Sequence, residues 1–399
     1  MTAPLTGTVG YRYDRLSHRT HLIYPDGRVV SYLYSDLGQM ASLTDWAAQT
    51  TSFDYDAAGQ PLTTTRPNGI ATGYLYDTAH RLTGLSHVGI SGPAGVYTYT
   101  RDALGHVSQA QEWAALQGAP ELQASLSASR GSVASGAVSP SGARGSVTGL
   151  VGGSAALAFT RAQITAADTL STSQQSLTYA YDALYRVLDV TYAGGDHFHY
   201  AYDAVGNVLT RTQTVLGVAT VTTYTYNAAN QLVTAKTDGE PIVWHYTYDA
   251  NGSLLEVTPD GSPAAGATRY TYNASLQLVA VEQHDGSAYA VVSQMLYDGL
   301  GQRRQVTAWA GGVSATTTYA VDSQQGSAVL AATSAGQTTF YLHGPNGPLA
   351  ELTVSWGYYL ADGQGTARQL SDASGAITLQ RRYTPWGEVL DQQGRGTFA

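Results

Sequence analysis

The sequence contains no cysteine, so neither a disulfide nor a thiolate metal site can form, and redox chemistry does not assign a compartment. It has one lysine, Lys236, and only 12% charged residues, about half the usual share for a soluble protein. Twenty Lys and Arg against 29 Asp and Glu leave a net charge of −9. A nucleic-acid partner needs a concentrated basic face to displace counterions from phosphates, and none is available. No apolar run approaches the roughly 20 residues of a membrane-spanning helix. The N-terminal MTAPLTGTVG lacks the basic and apolar regions of a signal peptide, so export would use another signal or none. Long helical periodicity is missing, as are GxSxG, HExxH, Walker and dinucleotide-binding fingerprints. These absences point to a chain with no cofactor, no metal and no catalytic residue.

What the chain has in excess is tyrosine, 29 against 5 Phe, beside 44 Gly. The tyrosines recur in a repeat anchored on an Asp, Asn or Ser: Asp14, Ser35, Asp56, Asp77, Asp102, Asp182, Asp203, Asn227, Asp249, Asn273 and Asp298. The anchors are 21 to 25 residues apart, apart from one interval of 80. Tyr precedes ten of them (Tyr13, Tyr34, Tyr55, Tyr76, Tyr181, Tyr202, Tyr226, Tyr248, Tyr272 and Tyr297), and Arg101 the eleventh. A second aromatic lies three residues before ten anchors, so on a strand the two rings share a face. Gly stands three residues after six anchors (Gly38, Gly59, Gly105, Gly206, Gly252 and Gly301), and Asn230 after a seventh. An anchor side chain that accepts from the backbone two residues on starts a turn, and a residue with φ > 0 closes it. Tyr185 and Leu276 occupy the Gly slot in two copies, and the strain of a left-handed Tyr or Leu predicts a different turn there.

Between anchors lie further turn signals: Asp26-Gly27, Asn68-Gly69, Gly194-Gly195, Asp238-Gly239, Asp260-Gly261, Asp285-Gly286 and Gly311-Gly312. They read as two-residue hairpin corners with both residues at φ > 0. Each unit of about 22 residues is therefore two antiparallel strands. The fold class that follows is all-β, a spiralling antiparallel hairpin-repeat sheet forming an incomplete barrel. The division expected is 1–113 and 177–318 as two repeat blocks, 114–176 as a Ser/Ala/Gly-rich insertion, and 319–399 as a C-terminal segment. Composition makes the insertion a flexible excursion, with a small plug or ligand-contacting insert, whose Ala155–Phe159 forms a short strand, as the alternative.

These residues resemble the YD-repeat, or RHS-repeat, family, whose signature [YF]-x-Y-D-x-x-G-x-[LV] is matched across about residues 11–310. The segment YYLADGQGTARQLSDASGAITLQRRYTPWGE is similar to the RHS-associated core through Tyr358, Tyr359, Asp362, Gly365, Tyr383, Trp386, Gly387 and Glu388. Gly363-Gln364 replaces the commoner His-Leu inside that motif. The resemblance implies a hollow shell, like the cocoon around a toxin domain in toxin complexes or the barrel of teneurin ectodomains. It implies a secreted or cell-surface location, and as partners an enclosed toxin or effector domain or further shell segments. The self-cleaving segment and toxin of relatives would follow Ala399, which makes the chain a partial shell by this reading. Open strand edges with almost no lysine to blunt them predict self-association.

Competing readings of single features are structural. A repeated turn Asp fits turn chemistry better than a catalytic site, which is singular. His197 and His199 share a strand face, but the sequence supplies no third metal ligand beside them. The sequons at Asn251 and Asn273 coincide with repeat turns. The tyrosine ladders pack as rings between neighbouring strands, or else bind glycans or a cell-surface receptor as an adhesin would.

Overall fold

A computed structural model describes residues 8–90, 92–114, 175–324 and 326–394. They contain no helix and form one 30-stranded sheet. The strands run from β1 (Gly10–Tyr13), β2 (Arg19–Ile23) and β3 (Val29–Tyr34) to β29 (Ile377–Tyr383) and β30 (Val389–Gly394). Each strand pairs antiparallel with its sequence neighbours, so the sheet is a pure meander. Among the described residues β1 pairs only with β2 and β30 only with β29. The meander includes β10 (Val107–Ala114) and β11 (Gln175–Tyr181), which pair directly, Glu112 opposite Gln175. The insertion itself, with Ala155–Phe159, lies outside the described residues.

All eleven anchors build the same corner. The anchor N–H donates to the carbonyl four residues on, and the N–H three residues on donates back to the anchor carbonyl, as in Asp56–Gln60 and Gly59–Asp56. The anchor side-chain oxygen then accepts from the N–H groups two and four residues on, at 2.8 to 3.3 Å. Tyr185 and Leu276 do not adopt a different turn: their φ values are 65° and 58°, and both make the bonds of the glycine copies. Four hydrogen bonds per corner outweigh a left-handed penalty of about 1–2 kcal/mol.

Several of the other corners also differ from expectation. Gly27, Gly69 and Gly195 are the lone left-handed residues of corners spanning Tyr24–Arg28, Arg66–Ile70 and Tyr192–Asp196, closed like the anchors. Five residues separate β2 from β3, too many for a two-residue turn. At Asp238-Gly239 and Asp285-Gly286, too, only the glycine is left-handed. Two left-handed residues do occur at Asp260-Gly261 and Gly311-Gly312, and also at Leu216-Gly217 and Ala335-Gly336.

The sheet rolls so that its C-terminal strands lie against one face of the first fourteen, which end with β14 (Val208–Val215). Leu22, Val30, Tyr32 and Leu43 bury against Leu330, Phe340, Leu342 and Tyr358. A second cluster joins Leu85, Tyr97, Val190, Phe198 and Tyr200, with Leu390 packed on it. The intervening strands, β15 (Val218–Tyr226) to β22 (Arg303–Ala310), and their connections contribute only Ala235, Ala267 and Met295 to the buried hydrophobic set of the described residues.

Candidate functional site

The anchor tyrosines do something that ring packing did not suggest. After each corner the strand pairing to the next unit stops short: β2 and β3 pair only as far as His21–Ser31, so the Arg19 carbonyl lies beyond the last paired residues. Tyr34 Oη donates to it at 3.0 Å. The same bond joins Tyr55 to Met40, Tyr181 to Val107, Tyr202 to Val187, Tyr226 to Val208, Tyr248 to Leu232 and Tyr297 to Leu278, at 2.7 to 3.0 Å. Arg101, the exception in sequence, replaces the phenol with its guanidinium and donates to Leu82 O. Rings are contacted chiefly by the preceding corner: His18 stacks on Tyr34 with centroids 4.7 Å apart, and the Arg186 guanidinium lies 4.6 Å from the Tyr202 ring centre. Among the described residues no ring contact joins one of these tyrosines to the next.

The C-terminal motif residues sit at the seam between the rolled faces. Asp362, with Gly365, makes the repeat corner. Thr384, with Gly387, closes a corner through the same backbone bonds, and its hydroxyl accepts from the Glu388 N–H. Tyr383 donates to Ala367 O as the repeat tyrosines do. Strands β27 (Trp356–Ala361) and β28 (Ala367–Asp372) carry the seam contacts. Tyr358 donates to Gln49 Oε1, Tyr359 to Glu351, and Gln369 Nε2 to Ala94 O. Arg368 joins Asp362 to Glu112 at 2.7 Å each, so the last strand before the insertion is pinned by a partly buried ion triad. The two carboxylates hold the Arg368 proton well above the usual guanidinium range, although burial opposes them. Glu388 pairs with Arg211, and Trp386 packs edge-on against Tyr200 with centroids 5.6 Å apart. At the other end of the seam Asp322 accepts from Tyr11 and pairs with Arg19.

Gly363 explains the departure from the commoner His-Leu. Its N–H donates to Tyr99 Oη at 2.7 Å, and a Cβ there would stand 2.5 Å from the Tyr99 ring. The corner fits the seam only without a side chain.

His197 and His199 do share a face, and the structure adds the residue that the sequence did not offer: both rings bond Asp189 Oδ1, at 2.9 and 2.8 Å. The trio is a hydrogen-bonded cluster. Among the described residues no group of three His, Cys, Asp or Glu side chains is arranged to hold a metal. Asn251 and Asn273 lie within repeat corners, where Asn273 is engaged through both side-chain atoms. Among the described residues no helix is long and apolar enough to cross a membrane.

A meander of tyrosine-pinned corners that winds back on itself is matched by the teneurin YD-shell profile over residues 159–396, and by the RHS repeat profile over 55–89. The chain belongs to the teneurin YD-shell family. No curated protein matches this YD shell. Among solved structures it is similar to TcdB2-TccC3, at 12% identity over 97% of this chain and 27% of that one, with a TM-score of 0.35. It is also similar to the Photorhabdus luminescens Tc holotoxin pore, at 13% identity over 97% and 26% of the two chains, with a TM-score of 0.33. The YD shell thus spans about a quarter of those chains.

Proposed function

We propose that this YD shell is a non-enzymatic wall segment that encloses or displays a toxin or effector cargo together with further shell segments, outside the cell that makes it. The observation that carries the reading is the uneven covering of the sheet. The C-terminal strands cover the first fourteen, whereas the tyrosine face of β15 to β22 has no layer of described residues packed over it. Tyr224, Tyr246 and Tyr270 stand side by side on that face, half-buried. A wall that holds a polypeptide needs such a surface, apolar in its rings and able to hydrogen-bond at its edge.

The test appends a destabilised, protease-sensitive domain after Ala399. The appended domain is expected to outlast the same domain alone under protease, and to lose that protection when Tyr224, Tyr246 and Tyr270 are all changed to Asp. Equal digestion in all three cases, or selective binding on a glycan array without protection of the appended domain, would overturn the reading in favour of an adhesin.

A further inference from the structure

Among the described residues one buried cation has no counterion. Arg66 opens the corner between β6 (Pro61–Thr65) and β7 (Ala71–Tyr76), a place held elsewhere by Tyr24, Asp45 or Tyr192. It is 7% exposed and lines a half-open pocket of about 340 Å³ between the first repeat block and the C-terminal strands. Nη1 donates to Thr72 Oγ1 at 2.7 Å, while Nε is buried and has no partner. Among the described residues no carboxylate pairs with it.

The neighbouring groups hold the guanidinium in one pose. His87 Nε2 donates to Ala361 O at 2.9 Å, so Nδ1 accepts from the Thr72 hydroxyl at 2.8 Å. The Thr72 oxygen is left to accept from Arg66. Burial, with Arg66 beside it, pushes the His87 imidazole down to about 3, so His87 is neutral and adds no positive charge. Nη1 is thereby committed, and among the described residues the other guanidinium nitrogens of this pocket-lining residue meet no acceptor. An unpaired buried charge is strongly unfavourable, and a guanidinium edge matches the two oxygens of a carboxylate. Tyr74, Tyr76 and Asn346 supply polar groups on the same wall.

We infer that the Arg66 pocket is a binding site for a carboxylate, taken from a small acid or from an acidic side chain of an enclosed polypeptide. The inference does not require the shell reading, since a pocket on an adhesin would bind the same group. The test follows the 19F line width of fluoroacetate with the full chain and, separately, the Tm in acetate against chloride at equal ionic strength. Broadening that acetate competes away, and a saturating rise in Tm of a few degrees, are expected. Both should disappear in Arg66→Met and weaken in Arg66→Lys, which keeps the charge without the fork and serves if the Met variant does not fold. Competition by acetyl-Gly-Glu-Gly-amide but not by its Gln counterpart identifies a polypeptide source, and competition by acetate alone identifies a small acid. Equal line widths in the wild-type chain and Arg66→Lys, with no acetate-dependent change in Tm, would overturn the site.

Discussion

Leu276 and Tyr185 measure how strongly the anchor side chain governs its corner. Both are non-glycine residues in the left-handed region, tolerated because Asn273 and Asp182 each satisfy two backbone donors. The same donors hold the carboxyls of Asp77, Asp182, Asp249 and Asp298 below their ordinary range, led in each case by the N–H four residues on. Leu276 is 54% exposed and packs little, so Leu276→Gly should stabilise the chain by about 1 kcal/mol in urea unfolding. Tyr185→Gly should gain less, because its ring stacks on His106 with centroids 4.8 Å apart, a contact the glycine gives up. A destabilised Leu276→Gly would show that the corner is not strained there.

Neighbouring hairpins are held together at their corner ends by side chains where the backbone ladder gives out. Tyr202 Oη on Val187 O is the shortest of these links at 2.7 Å, and Arg101 forms the equivalent link with a guanidinium. Tyr202→Phe keeps the ring and orphans one half-buried carbonyl, so it should cost about 1 kcal/mol in chemical unfolding. Arg101→Tyr, which restores the repeat, should cost less than Arg101→Ala. The corner ends are tied a second time by the residue four after the anchor: Gln39 reaches Gly59 O, Gln60 reaches His80 O, and Arg186 reaches Asp203 O. The spacing of aromatics and anchors in the sequence was enough to place these strands and corners. The destination of the tyrosine hydroxyls was not readable, because a phenol paired with a carbonyl one unit earlier and a phenol packed on a ring have the same sequence spacing.

Rolling of the sheet brings residues about 300 positions apart into contact, as with Asn68 on Ser371 and Tyr11 on Asp322. His87 lies on this seam, fully buried and neutral. Its proton affinity in the folded chain is far below the unfolded value of 6.5, so the unfolded chain binds the extra proton between pH 6.5 and about 3. Stability is therefore full above pH 6.5 and falls as the pH drops through that window, by about 2 kcal/mol at pH 5. Thermal melting should show a lower Tm at pH 5 than at pH 7.5, and His87→Gln should flatten the dependence whatever its own Tm. A pH dependence unchanged by that substitution would place the acid sensitivity elsewhere.

The repeat alone specifies an antiparallel meander, because one corner of each unit is made by an anchor and the four residues after it, and the other is a short turn, both within reach of purely local hydrogen bonds. The identity of the corners also extends past the region where the repeat is legible: Asp362, Asp372 and Thr384 form them too. The corner positions are nearly the same in every unit, so the repeat cannot say which faces meet when the sheet winds. Arg66, Gly363 and Arg368 acquire their surroundings from long-range packing: a pocket wall, a tyrosine ring, and a glutamate 256 positions away. A periodic sequence sets the local path of the chain, and burial of apolar surface between distant strands selects the coil.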